Sequence, residues 1–399
     1  MDSSFFVQNR QKLSKTLKGG ISVLSAYTQM QRGNDAAFQF EQEANFWWLT
    51  GIDAPDWQLI IDGTRGKSWL VKPYVSDVHQ IFDGSLSAEH ALKISGVDAV
   101  IDQDEADRIL RDLASKHSVV YALGDHPGKE HFDFSTNPAQ HKLYNSLQRI
   151  FADVQDCRRE LSKLRAIKQP AEIAAIKKAI KLTNSAFADV KTLLSDIKSE
   201  YEVEAEFTYA FRRAGATGHA YDPIVAGGKN AVTLHYNQNS DKLKSGTLVL
   251  LDIGARAYGY AADITRTYAV GAPTARQIEV HQAVEKAHRA IIRLLKPGLV
   301  VADYQESVDE IMKTALESLG LLKSPEDYRK YFPHAISHGL GLDVHDSLGG
   351  PITFEAGMVL TVEPGIYIPE EGIGVRIEDD ILITERGAIN LSAALPTSL

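Results

Sequence analysis

Gly246-Thr-Leu-Val-Leu-Leu-Asp252 and Gly357-Met-Val-Leu-Thr-Val-Glu363 share one pattern: a glycine, five mostly apolar residues, then a carboxylate six positions after the glycine. Runs of this length and composition predict buried strands. Each is followed by a second strand-like segment bearing acid: Asp263-Ile-Thr265 comes 11 residues after Asp252, and Glu378-Asp-Asp-Ile-Leu-Ile383 comes 15 after Glu363. The echo predicts two similar hairpins facing one another. Ionised carboxylates at the ends of apolar strands are costly to bury without a partner. Two solutions stay open from these residues alone. Arg256, Arg266 and Arg376 would neutralise the acids as ion pairs, or a divalent cation would gather carboxylates that otherwise repel one another.

The histidines bear on that choice. Phe332-Pro-His334-Ala-Ile-Ser-His338-Gly-Leu-Gly-Leu-Asp-Val-His345-Asp346 holds three of the chain's 13 histidines, interrupted by glycines that let backbone approach a ligand. His334 and His338 are four apart, so on a helical turn they would face the same way. The run is not an H-E-x-x-H zinc motif, because Ala335 follows His334 and Gly339 follows His338. His79, His141 and His288 are expected to be hydrogen-bonded structural residues.

Away from these motifs the composition is that of an ordinary globular chain. Of 399 residues, 44% are apolar and 24% charged, which excludes a disordered or collagen-like protein. Lys and Arg number 43 against 52 Asp and Glu, a net charge of −9, so nucleic acid is not an expected partner. No stretch approaches the roughly 20 apolar residues that span a bilayer, and Met1 to Arg10 lacks a basic segment followed by an apolar one. The single cysteine, Cys157, forms neither an internal disulfide nor a thiolate cage, which fits a reducing, cytoplasmic setting without a membrane partner.

Length alone suggests two domains. Ile21–Tyr27, Trp57–Ile61, Ser68–Val71 and Ser118–Leu123 read as strands, with an amphipathic helix from Gln103 to Lys116 between the last two, so a small α/β domain with a mixed or parallel sheet is expected at 1–157. Residues 158–399 read as a second domain of α+β character. It opens with helices from Pro170 to Leu194 and Glu202 to Ala214, changes to β-type runs beyond Asp222, and has further helices at Ala275–Leu295 and Asp303–Leu319.

The motifs resemble those of the dinuclear-metal pita-bread peptidases, and within them the Xaa-Pro peptidases, prolidase and aminopeptidase P. The resemblance rests on Asp252-Ile-Gly254 with Asp263-Ile-Thr265-Arg266-Thr267, on His338 to Asp346, on Thr361-Val-Glu363-Pro-Gly-Ile-Tyr367, and on Val375-Arg376-Ile-Glu378-Asp379. It extends upstream through Leu164–Ile173 and into the first domain, through Gln31–Asp35 and Phe40–Gly51. It implies a creatinase/prolidase-like N-terminal domain followed by a pita-bread catalytic domain.

By that resemblance Asp252 binds one metal, His338 and Glu363 the other, and Asp263 and Glu378 bridge the two. A hydroxide held between the cations would attack the peptide carbonyl. Four carboxylates and one imidazole form a hard donor set suited to two divalent ions per subunit, Mn²⁺ first, with Co²⁺ or Zn²⁺ as alternatives. The resemblance further implies that His235 and His345 contact substrate and stabilise the oxyanion, that Glu363 relays the proton, that His334 and Arg376 are active-site residues with Arg376 orienting substrate and neighbouring carboxylates, and that Ile224 lines the pocket on the amino side of the scissile bond. A plain salt bridge from Arg376 to Glu378 or Asp380 is the competing reading of that residue.

Proline specificity enters only through the resemblance. Methionine aminopeptidase shares the ligands but lacks the N-terminal domain, and creatinase shares the fold without a metal. A catalytically silent metal- or peptide-binding protein on this scaffold should have lost ligands, His235 or His345, and none is lost. Ser68-Trp-Leu-Val71 through Gly84 resembles the N-terminal domain of certain prolidases, so an Xaa-Pro dipeptidase is expected, with aminopeptidase P as the alternative. A homodimer is also expected, on the strength of the aromatic run Phe46-Trp47-Trp48.

Overall fold

The apolar runs of the first 150 residues fold into one sheet flanked by helices. In the computed structural model, which describes residues 1–126, 129–132 and 134–399, the elements of this region are α1 (Ser3–Thr16), β1 (Ile21–Ser25), α2 (Ala44–Thr50), β2 (Gln58–Asp62), β3 (Lys67–Val71), α3 (Asp77–Phe82), α4 (Ala88–Ser95), β4 (Ala99–Ile101), α5 (Gln103–Ala114), β5 (Val119–Ala122), α6 (Ala139–Leu147), β6 (Asp153–Asp156) and α7 (Arg158–Ala166). The strands lie in the order β4-β3-β2-β1-β5-β6, antiparallel across β1–β2–β3 and parallel elsewhere, so the expected mixed sheet forms. Ile21 and Val23 of β1 pack with Ala106, Leu110 and Leu113 of α5 and with Leu143 and Leu147 of α6. Asp102 caps α5 by accepting from the Glu105 amide.

The aromatic run departs from expectation. Phe46-Trp47-Trp48 lies on helix α2, with Phe46 and Trp48 fully buried, so it offers no docking face. A short apolar run does not by itself separate strand from helix. The deciding signals flank it: the Glu43 side chain accepts from the Phe46 amide, and Gly51 closes the helix at φ +70°.

The chain divides into two units, Met1–Leu164 and Arg165–Leu399. The expected boundary at 157 falls slightly earlier, at the start of α7. The second unit comprises α8 (Pro170–Leu193), α9 (Glu200–Arg213), β7 (Gly218–His219), β8 (Ile224–Gly227), β9 (Thr247–Ile253), β10 (Ala255–Ala257), β11 (Tyr260–Ala261), β12 (Ile264–Val270), α10 (Ala275–Ile292), α11 (Val301–Ser318), α12 (Asp327–Tyr331), β13 (Val359–Val362), β14 (Gly365–Ile368), β15 (Ile373–Arg376), β16 (Asp379–Thr384) and β17 (Gly387–Asn390). Pro170 occupies the first turn of α8, where its missing N–H costs nothing, and Gln169 and Glu172 form a capping box.

The two echoing sequences form equivalent antiparallel hairpins, β9–β12 and β13–β16. Each leading glycine has a positive φ, +84° at Gly246 and +95° at Gly357, and each donates its N–H across the hairpin, to Val270 O at 2.6 Å and Ile383 O at 2.9 Å. The carboxylates therefore arrive at matching positions. Asp252 sits near the end of β9 and Glu363 just past β13, while Asp263 and Glu378 immediately precede β12 and β16. Glu378 N donates to Thr265 O at 3.1 Å, which ties the hairpins together at the level of the acids.

Helices close the outside. Val280, Val284 and Ile291 of α10 and Val308, Met312 and Leu316 of α11 pack on Leu360, Val362, Ile381 and Ile383. On the other hairpin α8 lies against β10 and β11, and α9 against β8. Gly254 follows β9 because a Cβ there would lie 1.8 Å from Ala262 O. Among the described residues, no helix is long and apolar enough to cross a membrane.

Candidate metal centre

All five residues assigned as ligands converge between the hairpins. Ligand atoms of Asp263, His338 and Glu378 lie within 4.8 Å of one another. Asp252 joins through Tyr221, whose hydroxyl is 2.6 Å from both Asp252 Oδ1 and Asp263 Oδ1. His338 Nε2 lies 3.4 Å from Asp263 Oδ2 and 3.5 Å from Glu363 Oε1, which brings in the fifth.

The electrostatics match a cation site. Burial, reinforced by the charges of Asp263, Glu363 and Asp252, pushes the Glu378 carboxyl well above the usual range. Burial also raises Asp263, and raises Glu363 to about 7. His338 responds oppositely: burial disfavours its charge, yet Asp263 and Glu363 raise it to about 9. Its tautomer is set by Nδ1, 3.0 Å from Gly339 O, which only accepts. Nε2 is therefore the nitrogen turned toward the two carboxylate oxygens, where a bound cation would take the place of the proton that the acids favour on the ring. The donor set is oxygen-rich with a single imidazole, and it fits divalent metal.

Arg376 reaches a neighbouring carboxylate of the site, as the resemblance implied, and that carboxylate is Asp252. It is buried, with Nη2 2.5 Å from Asp252 Oδ2, Nη1 donating to Tyr367 Oη at 2.8 Å and Nε to Thr265 Oγ1 at 3.2 Å. It forms no ion pair with Glu378 or Asp380, and three of its five N–H groups bond Thr265, Tyr367 and Asp252. Of the other arginines proposed as partners of the four acids, Arg256 donates to the carbonyls of Gly259, Leu342 and Ala220, and Arg266 pairs with Asp379.

His334 and His338 do not share a helix, since residues 332–345 are irregular. They nevertheless flank Glu363, with His334 Nδ1 3.6 Å from Oε2. His334 Nδ1 is 2.7 Å from Ala335 O, so Nε2 accepts from the Tyr367 hydroxyl at 2.9 Å. This makes a chain from Asp252 through Arg376 and Tyr367 to His334. Burial and the Arg376 charge lower His334 to about 4. His345, whose ring centroid is 4.3 Å from that of His338, is lowered to about 4 by burial and by the charges of His338 and His235. His235 lies near enough to His334 and His345 to disfavour a charge on either.

Ile224 is the cross-strand partner of Asp252 and is buried with Leu250 and Tyr367, packed against Leu234 and Tyr236. Sequence reasoning missed Tyr221, quoted Tyr367 without a role, and named Asp380 only as a partner for Arg376, whereas Asp380 Oδ2 accepts from the Asp263 amide at 3.2 Å. A lone tyrosine in an irregular segment carries no periodic signal. His79 and His141 are exposed and lie beside Asp83 and Asp125. His288 departs from the expected hydrogen-bonded state: buried, with neither ring nitrogen in a hydrogen bond, it is lowered to about 4 by burial.

Residues 174–385 match the family described as Metallopeptidase family M24, and residues 6–121 match the Aminopeptidase P, N-terminal domain. The chain is 35% identical to Xaa-Pro aminopeptidase of Escherichia coli (strain K12), covering 98% of this chain and 94% of that protein. It is 34% identical to Xaa-Pro aminopeptidase 3 of Mus musculus, covering 92% and 76%. Among solved structures, aminopeptidase P from E. coli in a low-pH form superposes with a TM-score of 0.87 at 31% identity, covering 100% of this chain and 96% of that one. Proline aminopeptidase P II from Yersinia pestis gives 0.85 at 34%, covering 100% and 98%. This chain is therefore a metal-dependent peptidase of family M24, a member of the pita-bread Xaa-Pro peptidases.

Proposed function

We propose that this chain is an Xaa-Pro aminopeptidase, releasing the N-terminal residue that precedes proline in peptides longer than two residues. The supporting observation is similarity along nearly the whole chain to proteins named Xaa-Pro aminopeptidase. The dipeptidase reading loses its support. The Ser68–Gly84 stretch taken as prolidase-like falls inside the match to an aminopeptidase P N-terminal domain.

Asp252, Asp263, His338, Glu363 and Glu378 would hold two divalent cations, Mn²⁺ first. When bound, these supply Lewis acidity toward the scissile carbonyl and lower the pKa of water. Glu363 Oε2, unpaired except for the flanking His334, is the atom placed to receive and pass on a proton. His235 and His345 stand on the rim and would donate to the carbonyl oxygen as charge develops there. His334 is held neutral by burial and the Arg376 charge, accepts from the Tyr367 hydroxyl, and turns its Nδ1–H side toward Glu363. Ile224 and its apolar neighbours would form the wall that receives the substrate's first residue.

The test compares Ala-Pro-Ala, Ala-Pro and Leu-Ala on one Mn²⁺-loaded preparation. A dipeptide presents an unpartnered carboxylate where a longer peptide presents a neutral amide, so kcat/KM should favour Ala-Pro-Ala over Ala-Pro by roughly tenfold or more. Leu-Ala should be cleaved poorly. Preference for Ala-Pro would restore the dipeptidase assignment, and equal cleavage of Leu-Ala would remove proline specificity.

A homodimer remains our expectation, with a different motive. Tyr74, Val78, Ile81 and Phe82 are 64–94% exposed along and before α3, an apolar patch that association would cover. Sedimentation velocity at micromolar concentration should show a species of twice the chain mass. A monomer would exclude the dimer.

A further inference from the structure

His235 is exposed, in an irregular segment between the short 3₁₀ turn at Gly228–Val232 and β9. An exposed side chain on such a segment is not held in one place by core packing. Something else must fix it, because displacement of a reacting group by an ångström is expensive in rate. The fixing group is on another element. Glu200, the first residue of α9, is fully buried, and its carboxylate reaches into the concave side of this segment.

Glu200 Oε1 accepts from the Gly227 amide at 2.8 Å and from Asn230 Nδ2 at 2.9 Å. Oε2 accepts from the Tyr236 hydroxyl at 2.8 Å and from the Asp241 amide at 2.8 Å. One carboxylate thus gathers four points that bracket His235, one of them on the adjacent residue. The charge is also favoured by its place at the N-terminus of a helix. One turn later on the same face, Glu204 accepts from Asn239 Nδ2 at 2.8 Å, while Asn239 Oδ1 accepts from the Val225 amide at 2.9 Å.

We propose that Glu200 is a positioning residue that holds His235 for its part in the reaction, a role resting on the place given to His235 above. All four partners of Glu200 are donors, and this decides what the site tolerates. Asn230 Nδ2 also donates to Asp241 Oδ2, which fixes its amide orientation. A glutamine at 200 carries an NH₂ on one arm, and either arm faces a backbone N–H, of Gly227 or of Asp241. The isosteric change Glu200→Gln therefore opposes donor to donor, although it alters neither volume nor any metal ligand.

The experiment measures kcat and KM on an Xaa-Pro-Yaa tripeptide for Mn²⁺-loaded wild type, Glu200→Gln, His235→Ala and the double variant, with bound metal and Tm recorded for each. Glu200→Gln should lower kcat by roughly ten- to a hundredfold with metal content unchanged. In the His235→Ala background the same change should cost less than about twofold, because the residue it serves is gone. Losses that multiply in the double variant, or a Glu200→Gln enzyme within twofold of wild type, overturn the proposal. Should Glu200→Gln fail to fold, Tyr236→Phe removes a single donor from the clamp. It should lower kcat severalfold in the wild-type background and not in His235→Ala; no effect in either background overturns the proposal. A fully active His235→Ala enzyme refutes the role of His235 and this inference with it, whereas an impaired His235→Ala beside an intact Glu200→Gln refutes the inference alone.

Discussion

Replacing Glu378 with alanine is expected to reduce bound metal from two ions per chain to at most one and to lower kcat/KM at least about a thousandfold. Glu378 is buried between the hairpins, anchored by Thr265 Oγ1 at 2.7 Å, and held above the usual carboxylate range by burial and three neighbouring acids. A site of this kind stabilises its own charges only through a bound cation. Its cations in turn stabilise charge in the transition state by several kcal/mol, and each 1.4 kcal/mol is tenfold in rate. EDTA should abolish wild-type activity and Mn²⁺ restore it, while the variant should not recover. Stability offers a second readout. Mn²⁺ at about a hundred times its Kd should stabilise the wild type by about 2.7 kcal/mol, and the variant by less. A Glu378→Ala enzyme with full activity and two bound metals would remove Glu378 from the ligand set.

The site was legible where chemistry coincides with a regular element. Asp252, Asp263, Glu363 and Glu378 were visible because strand periodicity and two leading glycines announce hairpins, and the matching N–H donations of Gly246 and Gly357 show that the echo is structural. What stayed hidden lies in irregular backbone. Tyr221 reaches Asp252 and Asp263 from a segment with no repeat, and His334 and His338 meet Glu363 through loop geometry although their spacing suggested a helix. Arg376 shows a different limit. Its sequence neighbour Glu378 suggested a local ion pair, but in β15 its guanidinium points across to Asp252, which is 124 positions away in the chain. Glu200 lay outside the helix expected from Glu202, and its partners come from a loop whose path the sequence does not disclose.

Arg266→Met is expected to cost about 3–5 kcal/mol of stability, the largest loss we anticipate from one substitution that touches neither substrate nor metal. Arg266 is fully buried, and its guanidinium forms five hydrogen bonds: to the carbonyls of Thr265 at 2.9 Å, Glu378 at 2.7 Å, Leu395 at 2.8 Å and Pro396 at 3.0 Å, and to Asp379 Oδ1 at 2.7 Å. It joins β12, β16 and the last residues of the chain. Methionine fills most of the volume but donates nothing, so the carbonyls of Glu378, Leu395 and Pro396 and a buried carboxylate lose a donor, while Thr265 O keeps the Glu378 amide. Asn390 Nδ2 still donates to Asp379 Oδ2 at 2.6 Å, but a neutral amide does not balance the charge. His288 Nε2 lies 3.4 Å from Asp379 Oδ2, but burial disfavours a charge on the ring. Urea unfolding should show the loss, and the melting temperature should fall by roughly 10 °C. Because the cost comes chiefly from the stranded charge, adding Asp379→Leu should recover part of it, as buried pairs replaced wholesale by apolar residues often cost little. A second substitution that deepened the loss would mean that Asp379 stabilises the fold without Arg266, through Asn390 and its other neighbours.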